Sequence, residues 1–183
     1  MSVRRSLFYV RGIAATAALL ALAPTRSALG ADARSVFDRP LGDFDAAAVE
    51  RAKAGAARWL EKPECLKVLT EFNDGEGRTL DLTLATWGMS AVEYVLTLPF
   101  RDGAAIPRCR DARIELVTQR GLPSIYVCPV GVGALNSRFA QTQVRTPALA
   151  EAMVIHEMLH TLGLGENPPS SFEITERVRA RCR

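Results

Sequence analysis

The residues best suited to chemistry lie in one five-residue window, His156-Glu157-Met158-Leu159-His160, which holds both histidines of this 183-residue chain. On an α-helix, residues four apart lie one turn apart on the same face, so the imidazoles of His156 and His160 can bind a single metal ion. Glu157 lies about 100° further round the helix axis, where its carboxylate can reach a metal-bound water. Two neutral nitrogen ligands beside a carboxylate base are what zinc-assisted hydrolysis needs. The window therefore predicts a Zn²⁺ site with Glu157 as general base.

A third protein ligand is still needed, because catalytic zinc takes three protein ligands and one water. The chain has no third histidine, so the ligand is predicted to be a carboxylate, or a thiolate if a cysteine stays unpaired. Three glutamates follow closely, at Glu166, Glu173 and Glu176. Glu173 also completes the pattern Ser170-Ser171-Phe172-Glu173, a capping box that opens a last helix.

The stretch from His156 to Glu166 (HEMLHTLGLGE) resembles the extended motif of the metzincin clan of zincin metallopeptidases, H-E-x-x-H-x-x-G-x-x-H or Asp at the last place. Gly163 matches the clan's glycine, which ends the helix and turns the chain because glycine tolerates a positive φ. The resemblance implies that Glu166 returns to the metal as third ligand. This chain departs from the clan in having Glu at that place and no methionine after Met158. The stretch from Gly163 to Ser171 is also similar to that of small exported bacterial zincin-like proteins.

The resemblance implies a zinc metallopeptidase that hydrolyses peptide bonds. Glu157 is expected to take a proton from the attacking water and pass it to the leaving amine. Gluzincins, another zincin group, take a glutamate from a downstream helix, which leaves Glu173 and Glu176 open as alternatives to Glu166.

Two kinds of substrate contact are predicted. Tyr126 and Arg138 are candidates, by polarity and proximity in sequence, for a second group that stabilises the oxyanion, although each residue type is more often structural. The resemblance implies that residues 126–129, or the segment after them, pair with an extended substrate. Three other functions remain open: a non-catalytic zinc-stabilised secreted binding domain, a zinc hydrolase of a non-protein amide, and a purely structural disulfide domain.

Residues 1–30 have the layout of a secretory signal peptide. Three arginines precede an apolar run over 13–23, and small residues follow it. A membrane span needs about twenty apolar residues, so a retained anchor is only the alternative. We expect cleavage after Gly30 or Ala31 to leave one metallopeptidase domain, 31–183, that is secreted or periplasmic.

The charge of that domain is close to neutral. Of the 23 lysines and arginines four lie in residues 1–30, which contain no acid, so nineteen basic residues remain against 20 acidic ones. This balance gives no reason to expect nucleic-acid binding or stable membrane association. The expected partner is a peptide or protein substrate, and nothing in the sequence indicates an oligomeric state.

All four cysteines lie after the predicted leader, and an even count in an exported chain indicates two disulfides. Three pairings are possible. We favour Cys109–Cys128, which closes a short loop between two predicted strands, and Cys65–Cys182, which ties the last helix to an early one.

The order of predicted elements indicates an α+β fold, with N-terminal helices, a small mixed or antiparallel sheet, the helix that carries the histidines, and a short C-terminal helix. Asp45 is predicted to cap the first helix, and Thr146-Pro147 to open the helix with the histidines. The predicted helices are 46–60, 64–72, 148–162 and 172–182. The predicted strands are 94–100, 114–118 and 124–128, with a turn at 73–77, a loop over 131–143, and an ambiguous segment at 79–87.

Overall fold

The described part of the chain, residues 39–130 and 136–183 of a computed structural model, has the expected α+β fold. The predicted signal peptide and the first residues of the predicted loop over 131–143 lie outside the described residues. Within the described ranges, no helix is both long enough and apolar enough to cross a membrane.

The described residues form eight α-helices and a small three-stranded sheet. The helices are α1 (Asp43–Leu60), α2 (Pro63–Leu66), α3 (Val68–Glu71), α4 (Leu80–Trp87), α5 (Ala91–Thr97), α6 (Arg138–Arg145), α7 (Pro147–Thr161) and α8 (Ser171–Cys182). The strands are β1 (Phe100–Asp102), β2 (Leu116–Thr118) and β3 (Ile125–Val127), and a 3₁₀ helix spans Pro107–Arg110. β3 lies in the middle of the sheet, parallel to β1 and antiparallel to β2.

The helix α7 lies at the centre of the core, where it packs against α1, α6 and α8 and also contacts β2. Val154, Ile155, Met158 and Leu159 are fully buried. A helix that is apolar on most of its surface is typical of a buried position. Burying each large apolar side chain contributes about 1.5–3 kcal/mol, so these contacts fix α7 firmly in place.

The prediction of a strand over 94–100 is wrong, because most of this segment is helix α5. Its start is a capping box: Glu93 donates its backbone N–H to the Ser90 hydroxyl (3.1 Å), and the Glu93 carboxylate accepts from the Ser90 backbone N–H (2.9 Å). These bonds satisfy orphan donors of the first turn. The β-branched and aromatic residues that favoured a strand, Tyr94 and Val95, are buried on the helix instead.

The loop predicted over 131–143 is also partly wrong, because α6 begins at Arg138 with Ser137 as its N-cap. Asp45, predicted to cap α1, lies inside the first turn of α1, whose N-cap is Gly42. The Asp45 carboxylate accepts hydrogen bonds from the backbone N–H (2.9 Å) and hydroxyl (2.8 Å) of Ser137. It thus joins α1 to the start of α6.

Most other predicted elements are confirmed within a few residues. The segment 64–72 is divided into α2 and α3, and the ambiguous segment 79–87 is the helix α4. Pro147 is the first residue of α7 as predicted, but the Thr146 side chain makes no cap hydrogen bond and instead donates to the carbonyl of Thr142 (3.1 Å).

Both favoured disulfides are present. Cys65–Cys182 joins α2 to the end of α8, and Cys109–Cys128 joins the 3₁₀ helix to the residue after β3. Two disulfides indicate an oxidising, extracellular environment, since cytosolic thiols are kept reduced.

The two disulfides should differ in their contribution to stability. They close loops of 117 and 19 residues, and the chain-entropy model assigns such loops about 5 and about 3 kcal/mol. We therefore expect the variant Cys65→Ala/Cys182→Ala to lose more free energy of unfolding than Cys109→Ala/Cys128→Ala in metal-free urea denaturation. A larger loss from the shorter loop would contradict this explanation.

Candidate metal centre

Three side chains converge on the C-terminal half of α7. Nε2 of His156 lies 3.0 Å from Nε2 of His160, and Oε1 of Glu166 lies 3.3 Å and 3.8 Å from His160 Nε2 and His156 Nε2. Two ligand atoms about 2.0–2.1 Å from a tetrahedral zinc are about 3.3 Å apart. These spacings therefore suit ligands of one ion of that size, and the three residues form a group that could hold a metal.

A glycine turn at the end of α7 brings Glu166 to the histidines. Gly163, with φ of 106°, donates its backbone N–H to the carbonyl of His160 (3.0 Å), and Leu164 donates to Leu159 (3.1 Å). This is the Schellman pattern, which needs a residue that tolerates a positive φ. Leu159 and Leu164 are both buried, so an apolar contact accompanies the turn.

The second ring nitrogen of each histidine is held by a hydrogen-bond partner. Nδ1 of His160 lies 2.9 Å from the carbonyl oxygen of Leu164, which can only accept, so this nitrogen carries the proton and Nε2 presents its lone pair. Nδ1 of His156 lies 2.9 Å from the hydroxyl of Thr175 on α8. Such outer partners orient the imidazoles that bind metals.

Both imidazoles are buried, with 5% of His156 and 8% of His160 exposed. Burial lowers the pKa of His156 to about 3, and the neighbouring His160 acts in the same direction. His156 is therefore neutral at pH 7, which is the form that binds a metal ion.

Glu157 lies in the wall of the same cavity as the histidines. Burial raises the pKa of its carboxyl; His160, the Thr118 hydroxyl and Arg108 oppose this rise, while Glu166 adds to it. The Thr118 hydroxyl is buried and has no hydrogen-bond partner among the described residues. A carboxyl with a raised pKa is better matched to accepting and returning a proton near neutral pH.

The cavity above these side chains has a volume of about 620 Å³. The strand β2 forms one side of it, through Leu116, Val117 and Thr118. Its lining also includes three arginines, Arg108, Arg113 and Arg120. The site is thus a polar pocket with carboxylates and imidazoles at its base and cations around it.

The structure brings Glu166 to the histidines and leaves both alternative ligands elsewhere. The Glu173 carboxylate accepts from the Ser170 backbone N–H (2.7 Å) in the predicted capping box. Glu176 pairs with Arg179 on the same helix.

The predicted substrate contacts are not found at the cavity. Neither Tyr126 nor Arg138 is among its described lining residues, and Tyr126 packs beside the Cys109–Cys128 disulfide. The prediction that residues 126–129 pair with substrate is wrong for β3, because both edges of this strand are already paired. Sequence reasoning predicted the strand β2 but did not place it, Thr175 or the arginines near the histidines, because no local pattern does so.

Comparison with known proteins adds no relative: no family model matches the chain, and neither the curated proteins nor the solved structures contain a match.

Removing Glu166 should weaken metal binding strongly. Loss of an outer hydrogen-bond partner typically lowers affinity 10- to 100-fold, so we expect Glu166→Ala to lower Zn²⁺ affinity by at least about 100-fold and Thr175→Val by about 10-fold. Competition with a chromophoric chelator measures both. Glu176→Ala is the matched control and should bind like the wild type. Equal affinity in Glu166→Ala and Glu176→Ala would contradict the proposed ligand set.

The metal-free protein should lose stability in mild acid because of His156. Its folded-state pKa, about 3, lies below the ordinary value of 6.5, so between these values the unfolded chain binds a proton that the folded protein refuses. The free energy of unfolding should therefore fall as pH drops from 6.5 toward 3, by up to about 1.4 kcal/mol per pH unit from this group. Urea denaturation in the presence of a chelator, at several pH values, measures this fall. The free energy of unfolding of His156→Gln should decrease less steeply with falling pH than that of the wild type. Equal slopes would contradict the assignment of this pH dependence to His156.

Proposed function

We propose that this chain is an exported zinc-dependent metallopeptidase, with His156, His160 and Glu166 as ligands and Glu157 as general base. The observation that carries the proposal is the convergence of the three ligand atoms beside the half-buried carboxyl of Glu157, at a cavity lined by the edge strand β2. The disulfides and the predicted leader support export.

The donor set supports zinc as the metal. Two imidazoles and one carboxylate form a known ligand set of catalytic zinc, and three protein ligands leave the fourth position for water. Hard ions such as Mg²⁺ and Ca²⁺ favour oxygen ligands, whereas two of the three ligands here are nitrogens.

The chemistry requires a proton to move from water to the leaving amine. Zinc, when bound, supplies a Lewis acid that polarises the substrate carbonyl and lowers the pKa of water. Glu157 accepts a proton as the water oxygen attacks the carbonyl carbon, and it returns that proton to the amine nitrogen as the C–N bond breaks. The Thr118 hydroxyl acts on this carboxyl by lowering its pKa.

The strand β2 supports a peptide as the substrate. Among the described residues it pairs only with β3, so its other edge has no strand partner, and its residues, although buried, line the cavity. An extended peptide laid against that edge gains main-chain hydrogen bonds without any demand on its sequence. This replaces the predicted pairing along 126–129.

Replacing Glu157 should separate catalysis from metal binding. We expect Glu157→Gln to retain the fold and bound zinc but to lose about 10²- to 10⁴-fold in kcat/KM, because the amide cannot accept the proton. The measurements are zinc content by elemental analysis and cleavage of a mixed peptide library followed by mass spectrometry. Glu176→Gln, an exposed glutamate on α8, is the control and should cleave like the wild type.

The wild type itself tests the class of protein. Zinc-loaded wild type that cleaves no peptide would reject the peptidase. Cleavage of a non-protein amide instead would indicate another zinc hydrolase, and no turnover at all would indicate a zinc-stabilised binding domain.

A further inference from the structure

We propose that Arg120 forms an anion subsite in the cavity and binds a carboxylate of the substrate. The inference rests on the proposed peptidase function and assigns a class of substrate to it, namely peptides that carry a carboxylate close to the scissile bond.

Arg120 and the residue after it are tied to α7 and to the turn that follows it. Arg120 Nε donates to the carbonyl of Gly163 (2.7 Å), and the backbone N–H of Gly121 donates to the carbonyl of His160 (3.0 Å). The first acceptor lies in the glycine turn after α7, and the second belongs to a proposed metal ligand. The guanidinium is therefore fixed relative to the metal centre although the residue is exposed.

Two glycines make room for this guanidinium. A Cβ at Gly75 would lie 2.0 Å from Arg120 Nη2, and a Cβ at Gly165 would lie 3.3 Å from Nη1. A side chain at Gly75 would therefore displace the guanidinium from its position. Because Gly165 directly precedes Glu166, the Arg120 guanidinium beside Gly165 lies next to the candidate metal centre.

Arg120 differs from the other two arginines of the cavity in its partners. Arg113 pairs with Asp111 (2.8 Å), and Arg108 lies 3.7 Å from Glu166. Within residues 39–130 and 136–183, no carboxylate lies within ion-pair distance of Arg120. Its Nε is used by a neutral carbonyl, which leaves the two Nη groups for a ligand.

The two Nη groups of Arg120 favour a carboxylate as their ligand. Paired guanidinium N–H groups bind carboxylates in a fixed geometry with charge-assisted hydrogen bonds. A round cavity of about 620 Å³ is roughly 10 Å across, which is the length of about three extended residues at about 3.4 Å each. The carboxylate is therefore within about three residues of the scissile bond, either at the C-terminus of the peptide or on an Asp or Glu side chain.

The test compares zinc-loaded wild type, Arg120→Ala, Arg120→Lys and the control Arg113→Ala on matched peptides. One peptide set has a free or an amidated C-terminus, and the other has Asp or Ala within three residues of the cleaved bond. We expect the wild type to prefer one carboxylate source, and Arg120→Ala to raise KM for that source by about 10- to 100-fold while neutral peptides are unaffected. Arg120→Lys should restore part of the preference, because it keeps the charge but not the paired donors.

Two results would overturn the subsite. Wild type with no preference between charged and neutral peptides would reject it directly. An equal loss on all peptides in Arg120→Ala, with reduced zinc content, would show that Arg120 only braces the turn at Gly163.

A binding measurement separates this inference from the peptidase proposal. Fluorescently labelled forms of the same peptides are titrated into zinc-loaded Glu157→Gln and into its double variant with Arg120→Ala. Selective binding of carboxylate peptides that depends on Arg120, without turnover by the wild type, would support the subsite and reject the peptidase. Turnover without a preference for charged peptides would support the peptidase and reject the subsite.

Discussion

Two imidazole nitrogens face each other inside the protein, and their short separation restricts where protons can lie in the candidate metal centre. Since Nδ1 of His160 donates to the carbonyl of Leu164, its Nε2 offers a lone pair to Nε2 of His156, 3.0 Å away. Two lone pairs at this distance repel each other unless a proton or a cation lies between them. The Thr175 hydroxyl can donate or accept, so it allows His156 to carry its proton on either nitrogen. Without a metal, an Nε2 proton on His156 fills the gap, and binding an ion then displaces that proton.

The features that could be predicted from the sequence are those whose causes act within a few residues. Pro147 begins the helix α7, the spacing of the histidines places both on one face of it, and Gly163 allows the turn that follows. The structure agrees with all three predictions. The strand predicted over 94–100 was wrong for a local reason as well. The bonds between Ser90 and Glu93 begin a helix there, and they outweigh the strand preference of the residues that follow.

The features that could not be predicted depend on residues far apart in the chain. Asp45 caps nothing in its own helix because it bonds to Ser137, 92 positions away. Arg120 reaches the carbonyl of Gly163 across 43 positions, and the cavity exists only because β2 is packed beside α7. A carboxylate or guanidinium has many possible partners at such separations, and the sequence contains nothing that selects among them. The disulfides are the exception, because four cysteines allow only three pairings.

Among the described residues one edge of β2 has no strand partner, and this affects the behaviour of the protein at high concentration. An unpaired strand edge is a template for aggregation, because another extended chain can add to it. Here the strand is only three residues long, and arginines lie on both sides of it, at Arg113 and Arg120. Two copies that met edge to edge would bring these like charges together, which is destabilising. Arg120, the proposed anion subsite, thus also discourages self-association.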